Sequence, residues 1–206
     1  MIISWCDANV PQAFCFGFSG LFLLQFIVVT FLEMRIIMRL FPDRYTLPAL
    51  QLAPYLLGKQ LCRKIGDKIL RLPITETEAY CGETDTACHA HRGKTPRNAV
   101  MYEPGGIAYI YLCYGIHNLL NVVAAGAGEP EAVLIRGVEG ISGPGRVTKA
   151  LEIGLDLNRE DYRTSDVLWL EDGPEVQYIA TPRIGIGSAS EEDQAQLWRF
   201  LNTSAI

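Results

Sequence analysis

Three consecutive runs of β-branched and aromatic residues, 107–114, 118–124 and 132–138, are separated by connections of only three and seven residues. A crossover between parallel strands needs a dozen or more residues, so these runs must pair as antiparallel neighbours. A fourth run, 69–80, has the same composition and is read as a further strand. Around them the chain offers helices. Residues 48–57 open on Pro48 and stop at Gly58, with Pro54 tolerable only at a kink, and 146–153 follow Gly143-Pro144-Gly145 and end at Gly154. Ser190 followed by Glu191, Glu192 and Asp193 caps a final helix carrying Leu197, Trp198 and Leu201, after a late strand over 178–187. The fold expected is one α+β domain.

The first 37 residues do not match this pattern. No charged residue occurs from Ala8 to Leu32, and 13–32 is about the length a helix needs to cross a bilayer. A cleavable signal peptide is disfavoured, because Asp7 precedes the run and no Lys or Arg does. Met34 and Met38 are both possible starts, so a start assigned too far upstream ranks first, ahead of a membrane anchor and a peripheral helix. The chain is therefore divided into an apolar leader, 1–37, and a folded domain, 38–206.

The chain has 206 residues, 49% of them hydrophobic, and a net charge of −5, which excludes disorder, collagen, coiled coil and a strongly basic nucleic-acid tail. The charge is polarised. Between Met38 and Lys149 there are 13 basic and 10 acidic residues, but from Ala150 onward 4 basic and 11 acidic. Lys59, Arg63, Lys64, Lys68 and Arg71 form one basic cluster and Arg92, Lys94 and Arg97 another, so a local phosphate footprint is compatible with an acidic total. Six cysteines without a C-x-x-C pair read as reduced, mostly buried thiols.

Chemistry-bearing residues gather between 76 and 136. Alternation along Glu76-Thr-Glu-Ala-Tyr80 puts Glu76, Glu78 and Tyr80 on one face of a strand end. There a carboxylate can act as a general base beside a ring platform, or can simply be exposed strand polarity. Residues 86–98 collect Cys88, His89 and His91, but no fourth ligand stands at a usual zinc spacing, and the H-x-E and P-C-x-x-C signatures of zinc deaminases are missing. No metal is expected. Tyr109, Tyr111 and Cys113 face one way along their strand, and Ile110, Leu112 and Tyr114 the other. Tyr114-Gly115-Ile116 falls at the hairpin turn, where an aromatic with an aliphatic neighbour suits a wedge between stacked bases. Packing into a core is the plainer role for such a strand, and Tyr109 fits it.

Glu76-Thr-Glu-Ala-Tyr80, the stretch from His89 to Thr95-Pro-Arg-Asn98, Tyr109-Ile-Tyr-Leu-Cys-Tyr-Gly115, Asn121, Val133-Leu-Ile-Arg136 and Ser142-Gly-Pro144 stand in order along the chain. Together they resemble the alkyladenine (3-methyladenine) DNA glycosylase family, from about Leu52 to Phe200. The resemblance implies a curved antiparallel sheet flanked by helices, with a protruding DNA-intercalating hairpin. It implies a monofunctional glycosylase of base excision repair that flips alkylated or deaminated purines and hydrolyses the N-glycosidic bond. Glu78 falls on the water-activating carboxylate and Arg136 on an arginine beside it. Tyr80, His89 and Tyr111 fall on the base pocket, and Asn121 on the asparagine that crowds a guanine amino group. Tyr114, with Ile116, falls on the intercalating tip, and Arg92, Lys94, Arg97, Arg146 and Lys149 are assigned to the DNA backbone. Cys81, Ile116 and Leu120 depart from residues common in the family, which bears on substrate range.

The partner implied is double-stranded DNA containing damaged purines, met by a monomer with no cofactor. No membrane partner is expected unless the leader is genuine. The location implied is the nucleoid-associated cytoplasm of a bacterium or the nucleus of a eukaryote. Two other readings remain: a catalytically silent damaged-DNA binder on the same fold, and a zinc hydrolase using Cys88, His89 and His91.

Overall fold

A computed structural model describes residues 39–205; the leader 1–37, and the boundary drawn after it, lie outside the described residues. Among the described residues nine strands pair antiparallel in one curved sheet: β1 Gln60–Ile65, β2 Lys68–Cys81, β3 Ala108–Cys113, β4 His117–Ala124, β5 Glu131–Val138, β6 Ile141–Ser142, β7 Leu168–Glu171, β8 Tyr178–Thr181 and β9 Arg199–Asn202. The order is β3-β4-β5-β2-β1-β7, with β9 joining β2 to β8 and β6 pairing β5. Among the described residues there are three short α-helices, α1 Ala49–Tyr55, α2 Pro144–Ala150 and α3 Glu191–Ala195, besides short 3-10 turns.

Strand β2 organises the sheet. Its first half pairs with β1, and its second half pairs with β5 on one side and β9 on the other. Ile74 faces Val138, Glu76 faces Gly137 and Thr77 faces Ile135, so Thr75 is an extra residue on β2 and Arg136 an extra residue on β5. These two bulges cancel, and the register from Thr77 to Cys81 continues as it began. A bulged residue is released from strict alternation and its side chain is re-aimed, which is what Arg136 needs to reach sideways toward β2.

The two faces of the sheet are distinct. Ala79, Val133, Ile135, Leu120, Val122 and Ile110 pack with Leu52, Ala53 and Leu56 of the α1 region into the main core. Each fully buried leucine there contributes roughly 1.5–3 kcal/mol. Thr77 also faces α1, and its hydroxyl donates to the Ala53 carbonyl at 2.8 Å. The opposite face carries a second cluster containing Tyr109, Val123, Ala132 and Cys88, with Tyr80 and Tyr111 packed on it. On α2, the Thr148 hydroxyl donates to the Asn118 carbonyl at 2.7 Å, docking the helix under β4. Gly145 makes that approach possible, since a Cβ there would stand 2.9 Å from the His117 ring.

Several expectations are corrected. The late strand ends at Thr181 rather than at 187, because Pro182 offers no N–H to continue the ladder. Helix α3 stops at Ala195, and Leu201, expected on it, lies on β9. Tertiary pairing with β2 overrides local helix propensity there, as the Ala79 N–H donating to the Trp198 carbonyl at 2.8 Å shows. Helix α2 begins at Pro144 and ends at Ala150. The first basic cluster is spent largely on structure. Lys59 is buried and pairs with Asp172 at 2.8 Å, Arg71 forks onto Glu171, and Arg63 donates to the Leu151 and Glu152 carbonyls. Cys62 and Cys88 are buried free thiols, and Cys81 and Cys113 are free and half-buried.

Candidate active site

Register brings the predicted residues to one face. Glu78 faces Leu134, Leu134 faces Asn121 and Asn121 faces Tyr109, a row across four strands. Directly opposed residues of an antiparallel pair share a face, so Glu78, Asn121 and Tyr109 point the same way, with Tyr80 and Tyr111 two residues along their strands.

Glu78 is fully buried. Its Oε2 accepts from the Tyr80 hydroxyl at 3.0 Å, and its Oε1 accepts from the Ile184 N–H at 2.8 Å. Arg136 Nε stands 3.4 Å from the same Oε1 but is closer to Glu76, to which it donates at 2.9 Å. Glu76 Oε1 also accepts from Arg199 Nε at 2.6 Å. Arg136 is therefore shared between two carboxylates. Burial pushes the Glu78 carboxyl above the usual carboxylate range. Arg136, the Ile184 amide and the Tyr80 hydroxyl offset this in part, and the nearby Glu76 adds to it. The result is a stronger base than an exposed glutamate, fixed by directional contacts.

The ring side is built from the 86–98 loop and β3. His89 Nδ1 lies 2.8 Å from the Tyr109 hydroxyl, and its ring meets the Tyr111 ring edge-on at 4.4 Å. Desolvation, then Arg97, lowers the His89 pKa and favours the neutral imidazole. The loop is held by Asn98, a buried residue whose Nδ2 donates to the His89 and Gly93 carbonyls at 2.8 and 2.9 Å. Asn121 is buried as well, its amide pinned by donation to the Tyr109 carbonyl at 3.0 Å.

At the hairpin tip the Ile116 N–H donates to the Cys113 carbonyl at 3.1 Å, closing a turn whose central residues, Tyr114 and Gly115, have φ of 50° and 71°. Glycine adopts this region freely; tyrosine does not. Tyr114 is nonetheless held there with 87% of its surface exposed, beside Ile116 at 73%. Positive φ at both central residues is what a tight hairpin turn demands, and the tyrosine meets that demand at a cost in strain.

Arg92, Lys94, Arg97, Arg146 and Lys149 are all exposed. Arg97 leans on β3, its Nη2 donating to the Leu112 carbonyl at 3.3 Å, and Lys94 lies 5.2 Å over the Tyr102 ring. A cavity of about 360 Å³ beside the hairpin base is lined by Ile116, Asn118, Thr148, Lys149 and Ile153 among others, and does not include Glu78 or Tyr80. Among the described residues no three His, Cys, Asp or Glu side chains are arranged to hold a metal. Cys88 points toward the Pro130 carbonyl, His89 toward Tyr109 and His91 toward the Glu83 carbonyl, so the donor set required by the zinc reading does not converge. Also among the described residues, no helix is long and apolar enough to cross a membrane.

Two residues at the site were missed in the sequence. Arg183 is buried and pairs with Asp85 at 2.6 Å, and Ile184 supplies the amide on Glu78. The available signal was a lone arginine between Pro182 and an apolar Ile-Gly-Ile run, with no acidic residue nearby in sequence.

The sequence matches the family described as methylpurine-DNA glycosylase over residues 43–142 and 140–205. It is 43% identical to a protein of Methanocella arvoryzae, an alignment covering 79% of this chain and 92% of the relative. It is 42% identical to one of Borreliella afzelii, covering 77% and 94%, and 40% identical to one of Psychrobacter cryohalolentis, covering 73% and 85%. All three relatives are provisionally named 3-methyladenine DNA glycosylases.

Proposed function

The chain belongs to the methylpurine-DNA glycosylase family, a family of hydrolases that cleave N-glycosyl bonds in DNA, and we propose that it flips alkylated or deaminated purines out of the duplex and hydrolyses their N-glycosidic bond with a water that Glu78 activates. The observation that carries this reading is the buried Glu78 carboxylate, held by the Tyr80 hydroxyl and the Ile184 amide on the face that also bears Tyr111 and Asn121.

A base inside the stack is out of reach, and extruding it costs a few kcal/mol, less for a damaged or mispaired base. Tyr114, exposed at the hairpin tip with Ile116 beside it, is suited to fill the gap and offset that cost. Arg92, Lys94, Arg97, Arg146 and Lys149 would meet the sugar–phosphate backbone without reading sequence. Alkylation at purine N3 or N7 leaves a cationic base, which two aromatic faces favour by about 0.5–2 kcal/mol over a neutral one. Tyr80 and Tyr111 would supply those faces, with His89 contacting the base or its sugar. Asn121, fixed by its bond to the Tyr109 carbonyl, would crowd the amino group of a normal guanine.

In the reaction the C1′–N bond breaks with its electron pair leaving on the base, and positive charge develops on the sugar. Ionised Glu78 stabilises that charge and takes the proton of the attacking water, whose oxygen bonds to C1′. Arg136 holds the neighbouring carboxylate, Glu76, in place and moderates the charge around the water. No lysine nucleophile is required, so the strand is left uncut. The test is release of free base from a panel of lesion duplexes by the wild type and by Glu78→Gln. A variant that binds lesion DNA without releasing base supports the reading, and full activity in it overturns the reading.

A further inference from the structure

We propose that Arg183 is a positioning residue that locks the Ile184 amide onto Glu78 and fixes the Tyr80 ring beside it. The proposal rests on Glu78 being the water-activating carboxylate. The Arg183 guanidinium has no exposed side-chain surface, and neither has Asp85, onto which it forks: Nη1 donates to Oδ2 at 2.6 Å and Nη2 to Oδ1 at 2.9 Å. Burying two charges is expensive, and an apolar pair of similar volume would serve a core at least as well. Arg183 Nε is in addition buried without a hydrogen-bond partner, which adds to that cost.

What the pair supplies is geometry. The flat guanidinium lies over the rings of both Tyr80 and Trp198, 4.9 and 4.8 Å from their centroids. Its Nη1 also donates at 3.0 Å to the carbonyl of Ala79, the residue between Glu78 and Tyr80. Asp85 accepts from the Cys81 N–H at 3.1 Å and the Ala87 N–H at 3.0 Å, fixing the start of the loop that leads to His89. The residue after Arg183 is Ile184, whose N–H donates to Glu78 at 2.8 Å. One guanidinium thus joins the strand bearing the carboxylate, the ring platform, the histidine loop and the loop that supplies an amide to the carboxylate. The groups facing Glu78 are the Tyr80 hydroxyl, Tyr111, Arg136, Glu76 and the Ile184 amide; those facing Arg183 are Asp85, Tyr80, Cys81, Cys88 and Asp193.

The experiment measures single-turnover release of a methylated purine against pH, with lesion-duplex affinity and thermal unfolding alongside. It compares the wild type, Arg183→Lys, the double variant Arg183→Met with Asp85→Asn, and Glu78→Gln. Lysine keeps the charge but loses the fork and the stack, and the double variant removes both charges without stranding either. Both should fold, bind the lesion duplex within about threefold of wild type and release base roughly ten- to hundredfold more slowly at neutral pH. Their acid limb should move to higher pH, because a loosened Ile184 amide favours the ionised carboxylate less. Unchanged rates in folded variants overturn the proposal, and so does an equal fall at every pH with the limb unmoved. Failure of both variants to fold also overturns it, since the pair is then a requirement of the fold. Full release by Glu78→Gln would instead overturn the reading of Glu78, and the Arg183 proposal would fall with it for that separate reason.

Discussion

The Tyr80 hydroxyl donates to Glu78 Oε2 at 3.0 Å, across two residues of one strand. The ring proposed to hold the base and the carboxylate proposed to activate the water are thereby one rigid unit. Replacing Glu78 by Gln keeps the shape and an acceptor oxygen but removes the base. Single-turnover release should fall by roughly 10²–10⁴-fold while lesion-duplex affinity stays within a few-fold. Base release and binding measured on the same preparation check this.

Burial raises the Glu78 carboxyl, and it must be ionised to accept a proton from water. The rate should therefore fall as pH drops through that raised value, with an acid limb above the usual carboxylate range. Glu76→Gln removes a neighbouring negative charge and frees Arg136 for Glu78. In that variant the limb should move to lower pH, and a pH–rate profile showing an upward shift would refute the coupling.

Tyr114 sits at positive φ, a backbone conformation that costs an L-residue about 1–2 kcal/mol and glycine little. Tyr114→Gly should unfold at higher denaturant concentration than wild type and yet excise lesions from duplex DNA more slowly. Loss of both stability and activity would remove the hairpin tip from the proposed intercalating role.

Arg92→Ala and Lys94→Ala should each reduce the slope of log affinity against log salt by about 0.9 if each meets one phosphate. Arg71, forked onto Glu171, is a contrast: its replacement by Ala should cost stability and leave the slope unchanged. Titrations at several salt concentrations separate the two basic groups.

The central sheet was legible because period-two patterning and short connections leave antiparallel strands little choice. β1 was missed because Arg63 and Lys64 break its apolar pattern, and β9 because Arg199-Phe-Leu-Asn202 follows a helix start and reads as its continuation. Local patterns single out Glu78 with Tyr80 on one strand face and Tyr111 on its own strand, and the fold brings them together with His89, while the roles proposed for them rest on the family resemblance. The amide of Ile184 was not legible, since it reaches Glu78 from 106 residues away through backbone alone and leaves no trace in residue type. The lateral reach of Arg136 toward Glu76 was equally hidden, because a bulge is a property of two strands in register and not of either sequence.

The cancelling bulges at Thr75 and Arg136 make the site a matter of parity. Ile74 and Thr77 stand three apart on β2, and Val138 and Ile135 three apart on β5, yet Ile74, Val138 and Ile135 share the main core and the Thr77 hydroxyl donates to the Ala53 carbonyl, so each strand changes parity once where it carries its extra residue. Were alternation from Ile74 unbroken, Thr77 and Ala79 would leave the core and Glu78 and Tyr80 would be thrust against α1. The extra residues let β2 bury side chains toward α1 on both sides of the irregularity and still present a carboxylate and a ring on the other face.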